Sequence, residues 1–413
     1  RASAGLAALW SLLRVAPGAR LRTAARWAGT RISTHRWFAG SALLCSGMFL
    51  WVLTGGTGRL YFAENFGLFY DYQAASLMQG RLDVPEPAVS GEAFVVGKKH
   101  FGYFGLTPAL LRFPLVAFDL GFGWWSRASM FVAFVVALLA TYDLLRTTLR
   151  FVSPAKSAPS PWMTVTLTVN AGLGSALFFL GSRAYIYHEA TIWGTAFALT
   201  AAACSLRHLH APASRWWVGA FVCALLSLHA RPPSGLFALV LVSCTALGVA
   251  WQCWRRGARP FGPPVRRHLL LPLVCGLGVL SFNGLSYLKF GTFDGAPLKY
   301  HIQYHTARLD RIQGRNFHLA NVGFNASAYF WRPDFKLEPR FPYFHISNGD
   351  GSEYPNSKID LMEPVLAMPY SLPGLVFLAV VGCVIACVRA TALRLPALVL
   401  LLAIVPMSAA MLT

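Results

Sequence analysis

The stretch FGLFYDYQAASLMQGRLDVP, residues 66–85, sets one carboxylate, Asp71, just behind the first strongly apolar run of the chain. A carboxylate within hydrogen-bond reach of a hydroxyl can take its proton, which is general-base chemistry. An acid in the first turns of a short helix also suits the positive end of the helix dipole, so position alone leaves both roles open. Further along, GKKHFGYFGLTPALLRFP (97–114) gathers Lys98, Lys99 and His100 into a cationic cluster. Such a cluster suits either a phosphate or snorkelling among lipid headgroups. Phe101, Tyr103 and Phe104 beside it are aromatics of the kind that settle at a membrane–water interface.

Three further segments place polar groups at the ends of apolar runs. SRAYIYHEATIWG (182–194) carries Arg183, His188 and Glu189, and Glu189 opens an otherwise apolar helix. A carboxylate at the membrane edge is a functional candidate, with helix capping as the alternative. HARPPSG (229–235) carries Arg231. Its planar donor fork can clamp a phosphate or pair with Glu189 or Asp71. His301 and His305 stand four apart but lack the intervening Glu of a zinc-binding HExxH helix, so metal ligation there is not expected. SNGDGSEYP (347–355) matches no calcium loop and reads as a polar turn.

The elements that position these residues follow from composition. Of 413 residues, 55% are hydrophobic and only 13% are charged. Apolar runs near the ~20 residues that a bilayer requires recur at 37–56, 127–145, 162–180, 189–206, 216–230, 235–252, 269–289, 371–388 and 395–412. The fold class expected is an all-α polytopic membrane protein with about nine transmembrane helices and interfacial helices in the first outer loop. The chain opens at Arg1 and stops at Thr413 inside an apolar run, and reads as a fragment. Leu68, Tyr72, Ala75 and Leu77 are expected to form the apolar face of a short helix ending near Gly80. The eight cysteines lie in or beside apolar runs, where they pack as small apolar side chains.

The formal charge of +20 comes from arginines between apolar runs, which is a topology signal and not a nucleic-acid footprint. Residues 106–123 decide the topology. They carry Arg112 and Asp119, each costing about 2.5–3.5 kcal/mol at mid-membrane depth. If this segment lies in the interface, one side collects the basic N-terminal segment 1–36, Arg146, Arg150, Lys156, Arg207, Arg215, the 255–267 loop, Arg389 and Arg394. That side is then cytoplasmic. Residues 57–126 and the long loop 290–370 face outward, 37–289 form one transmembrane module, and 371–413 add further spans.

The order YDYQAASLMQGRL, YFGLTPALLRFP, YHEATIWG, HARPPSG and KFGTFDGAP resembles the GT-C class of membrane glycosyltransferases, in particular the protein mannosyltransferase and aminoarabinose transferase-like family. The resemblance covers about residues 37–300. It departs where relatives carry paired acids, since Tyr72 follows Asp71, and where FGLTP replaces a His-Pro-Pro or Lys-Pro-Pro signature. The resemblance implies an inverting hexosyl- or pentosyltransferase at the outer face of a bacterial inner membrane. The donor would be a polyprenyl-phosphate sugar and the acceptor a hydroxyl of a glycan, lipid or protein. Asp71 would be the general base. Lys98, Lys99 and Arg231 would stabilise the leaving phosphate, with His100, Tyr103, Arg183, His188 and Glu189 lining the substrate site. Divalent-metal use stays open. A transporter or flippase for lipid-linked glycan precursors is the alternative, although its charges are expected at mid-membrane depth and not at span ends.

Overall fold

The computed structural model describes residues 17–153, 158–259, 262–315, 317–341, 343–346, 354–359, 365–388 and 391–413. The polar turn at 347–353 and the basic residues Arg14, Lys156 and Arg389 lie outside them. The chain is an integral membrane protein built mostly of helices. Among the described residues, five helical segments are long and apolar enough to cross a bilayer: His35–Leu53, Ser126–Val152, Pro232–Arg255, Pro263–Phe290 and Ala392–Leu412. Along Pro263–Phe290 the leucines 270, 273, 277 and 280 are exposed at helical spacing. That outward stripe calls for lipid as its solvent.

The helices are α1 (Pro17–Leu53), α2 (Phe69–Met78), α3 (Thr107–Ala117), α4 (Ser126–Val152), α5 (Pro161–Gly172), α6 (Ala176–Leu180), α7 (Ile186–His210), α8 (Ser214–Leu228), α9 (Pro232–Arg255) and α10 (Pro263–Phe290). After a loop bearing α11 (Thr306–Arg311) and α12 (Val322–Phe330), α13 (Pro373–Val388) and α14 (Thr391–Leu412) follow. Two small antiparallel hairpins accompany them, β1 (Phe94–Val96) with β2 (Lys99–Phe101), and β3 (Phe335–Leu337) with β4 (Phe344–Ile346). Helix boundaries follow the sequence's own punctuation. Proline opens α5, α9 and α10, where its missing N–H would have had no intrahelical partner anyway, and Gly291 closes α10 in the left-handed region at φ 69°. The apolar run 162–180, expected as one span, is two helices. Ser175 accepts the Leu177 N–H and starts α6 afresh after the break at 173–175.

α7 is the centre of the bundle, packed on α4, α8 and α9. Alanines 198, 201, 220, 224, 238 and 246 fill the α7–α8–α9 core and let the helices approach closely. Phe49, Met130, Phe134, Leu138, Ile192 and Trp193 fill the core shared by α1, α4 and α7. Trp193 donates to Ser129 Oγ near the starts of α7 and α4, while Arg207 pairs with Asp143 near their ends. The two helices therefore run parallel, and residues 153–185 return the chain to the end where α4 began.

That end carries the first polar loop, which is docked onto the bundle. Thr107 N–H donates to His229 O at 2.9 Å and Thr107 Oγ1 to Leu226 O at 2.7 Å. Gly105 permits the contact, because a Cβ there would lie 1.8 Å from the His229 carbonyl oxygen. Lys289 Nζ, at the end of α10, donates to Gly102 O at 2.9 Å. α3 ends at Ala117, about 16 Å of helix, which is too short to cross a bilayer. Asp119 lies beyond it at φ 50°, off the helix that carries Arg112.

Candidate functional site

α2 buries a different face from the one its apolar pattern predicts. Phe69, Tyr70, Asp71, Gln73 and Ala74 face inward, while Leu68 is 40% exposed and Tyr72, Ala75 and Leu77 are half-buried. That face combines packing with charge, since Phe69, Tyr70 and Ala74 join an apolar core with Phe104 and Ile186. Asp71 is 1% exposed, and its Oδ1 accepts from Arg112 Nη1 at 2.9 Å. Arg112, also 1% exposed, donates through Nη2 to Glu189 Oε1 at 2.7 Å and lies 3.4 Å from Ser126 Oγ. The second carboxylate oxygen of Asp71 accepts the Gly123 N–H at 2.5 Å. Three elements thus meet in one dry cluster: α2 supplies Asp71, α3 supplies Arg112 and α7 supplies Glu189. Isolated burial of any of these charges would cost several kcal/mol, so each depends on the others.

The cluster holds two carboxylates for one guanidinium. Its formal sum is one negative charge, in a place where water cannot screen it. Asp71 also borders a narrow crevice under α3, lined by Leu115, Val116, Asp119, Leu120, Phe122 and Trp125. Tyr70, beside the cluster, donates its hydroxyl to Ile186 O at 3.0 Å. Burial, followed by the nearby Glu189 charge, pushes its pKa well above the usual phenol value.

The other expected site residues are dispersed. Arg231 pairs with neither acid. Arg112 takes that role, and the Arg231 charge instead acts on the Tyr103 and Tyr70 hydroxyls. Burial is the largest influence on Tyr103 and raises its pKa, with Arg231 opposing. Lys98 and Lys99 are exposed at the tip of the β1–β2 hairpin, and His100 is half-buried in β2. No hydrogen bond or ion pair among the described residues joins these three to Asp71. Arg183 lies over the Tyr185 ring, and the His188 ring donates from Nδ1 to Arg183 O at 2.8 Å, so both serve the turn before α7. His301 and His305 do not share a helix, since His305 caps α11 and His301 precedes it in extended backbone. Among the described residues no group of three His, Cys, Asp or Glu side chains converges as a metal site. The eight cysteines are free thiols.

Two functional contacts were missed in the sequence. Arg112 was read as an interfacial charge, although an arginine inside an apolar, Pro-bearing segment is itself a sign of a buried partner. Glu92 was not singled out at all. Its Oε2 stands 3.7 Å from His301 Nε2, an ion-pair separation that ties the first loop to the long one, alongside the Ile302 N–H donated to Ala93 O. The His301 imidazole beside it, helped by the Tyr187 hydroxyl and opposed by burial, holds the Glu92 carboxyl below its usual range.

A lowered carboxyl pKa in the folded state contributes stability that is present above the ordinary value and is lost as pH falls through the lowered one. The stability difference between the native chain and Glu92→Gln is therefore expected in full at neutral pH, to start shrinking as pH falls past about 4.5, and to vanish only below the lowered folded-state value. Thermal unfolding from pH 3 to 7 tests this, and a gap that does not change with pH would disprove the link.

Comparison with protein-family models, with curated proteins and with solved structures gave no match.

Proposed function

We propose that this chain is a GT-C-like glycosyltransferase of about nine transmembrane helices that uses a polyprenyl-phosphate sugar at the outer face of a bacterial inner membrane. Asp71 takes the proton of an acceptor hydroxyl. The freed oxygen attacks the anomeric carbon from the face opposite the lipid phosphate. The carbon–oxygen bond to that phosphate breaks with inversion, and the phosphate leaves with the bonding pair. The observation that carries this reading is the excess carboxylate charge at Asp71, Arg112 and Glu189, with Asp71 bordering a narrow crevice lined by apolar side chains and Asp119. The hydrogen bonds to Asp71 hold its carboxylate in a fixed orientation, which is what a positioned base requires. Asp71 reaches an acceptor only when the 119–125 turn moves off it, because Gly123 covers one of its oxygens.

Arg231, with its Tyr103 contact, stands nearer this machinery than the hairpin lysines do, and it is the better candidate for the leaving phosphate. The acids lie where α7 begins and not at its middle, which keeps transport of a lipid-linked glycan as the second reading.

The test is a screen of the purified chain in nanodiscs against polyprenyl-phosphate sugars, following both binding and release of the lipid phosphate. Binding with release of the lipid phosphate supports transfer. Binding with vectorial movement and no release would favour transport, and no binding to any donor would remove both readings.

A further inference from the structure

The opposite end of the bundle holds a second, unrelated site. Glu189 and His208 stand 19 residues apart on α7, about 28 Å of helix, so what surrounds His208 is remote from Asp71. There the end of α7, the start of α8 and the first turns of α10 enclose a cavity of about 310 Å³. Its polar lining is His208, Ser214, Trp217, Arg267 and His268, and no acidic side chain is among the described residues that line it. Pro212, Ala213, Val218 and Leu271 complete the wall.

Each polar group has unused capacity. Arg267 gives one donor to Ser214 Oγ at 2.7 Å and keeps others of its five. His208 Nδ1 lies 3.0 Å from Ala213 O and 3.3 Å from the Ala213 N–H, and the His268 ring lies 2.8 Å through Nδ1 from Pro264 O. Nδ1 is engaged in both rings whichever tautomer holds, so Nε2 is the atom left for a ligand. His208 is 3% exposed and Trp217 is 9% exposed, yet neither His208 Nε2 nor Trp217 Nε1 has a partner among the described residues. Buried polar groups left unpaired are costly, and both nitrogens are shut off from solvent, so a polar ligand relieves that cost once either ring shifts toward the cavity. The cavity also borders the first turn of α8, whose dipole favours an anion.

We propose that this cavity binds a phosphate-bearing anion, with Arg267 as the charged anchor and the two histidines and Trp217 as neutral partners. An imidazole Nε2 accepts the proton of a monohydrogen phosphate or, once protonated, donates to the anion. Phosphate of this kind arrives either on an anionic lipid headgroup or free in solution.

The full chain in nanodiscs of mixed phosphatidylglycerol and phosphatidylcholine is the test, with retained lipid counted by native mass spectrometry. Inorganic phosphate is probed separately by ³¹P line broadening. Arg267→Gln is expected to weaken retention or broadening about ten-fold, the loss of a charge-assisted hydrogen bond. Arg266→Gln removes the same charge one residue away, outside the cavity lining, and is expected to change either signal by less than about two-fold. Selective phosphatidylglycerol retention marks the lipid source, and broadening of phosphate alone marks the free one. Equal losses in the two variants, or no signal from either probe with the native chain, would overturn the proposal.

Discussion

Arg112→Met is expected to destabilise the folded chain by about 3–5 kcal/mol, the range seen when one partner of a buried ion pair is removed. The methionine fills much of the same volume, so the effect is electrostatic and not a cavity. Without the guanidinium, Asp71 keeps the Gly123 N–H, but Glu189 loses the side-chain partner it has among the described residues. Two carboxylates would then face each other where both are 1% exposed. Arg112→Lys should be nearly as harmful, because one ammonium cannot present the fork that now reaches two acids from two nitrogens. Neutralising the acids at the same time, in Arg112→Met with Asp71→Asn and Glu189→Gln, should recover at least half of the loss, since the cost lies in unpaired charge. Thermal unfolding in detergent compares the three variants. A loss under about 1 kcal/mol for Arg112→Met would show that the cluster is hydrated and not the dry network described here.

How much of this cluster was legible in the sequence depends on the kind of signal each residue gives. Long apolar runs marked helices because a bilayer-length run has few alternatives, although the runs expected from 235 and 269 begin as helices at Pro232 and Pro263. Asp71 and Glu189 stood out because acids beside such runs are rare. The pairing between them was not legible. It joins residues 41 and 77 positions apart through an arginine, and no local pattern records such a distance. The α2 face failed for the same reason. Leu68, Tyr72, Ala75 and Leu77 form an apolar stripe, but Phe69, Tyr70 and Ala74 form another, and the groups that cover it, Ile186, Ala190 and Arg112, lie far along the chain. Lys98 and Lys99 misled in the opposite direction. They are adjacent in sequence to an aromatic segment that does reach the bundle, but a three-residue hairpin carries them away from it.

Asp71→Asn is expected to lower sugar transfer by about 10²–10⁴-fold, the typical contribution of a positioned general base, while donor binding stays within a few-fold. The amide is isosteric and its oxygen can still accept the Gly123 N–H, but its NH2 then faces Arg112 Nη1 and that pair is lost, so thermal unfolding of the variant is measured beside transfer. What it cannot do is accept a proton from the acceptor hydroxyl as the carbon–oxygen bond forms. Glu189→Gln separates that role from structure. It removes the other carboxylate on Arg112 and leaves Asp71 paired with the same guanidinium at 2.9 Å. Transfer should then fall by less than about ten-fold, the change coming from geometry and not from the lost proton acceptor. Single-turnover release of the lipid phosphate, measured beside donor binding, distinguishes the cases. Equal losses in both variants would make the cluster a structural unit with the base elsewhere. Full transfer by Asp71→Asn would end the assignment and leave Asp119, the other carboxylate that lines the crevice, as the next to test.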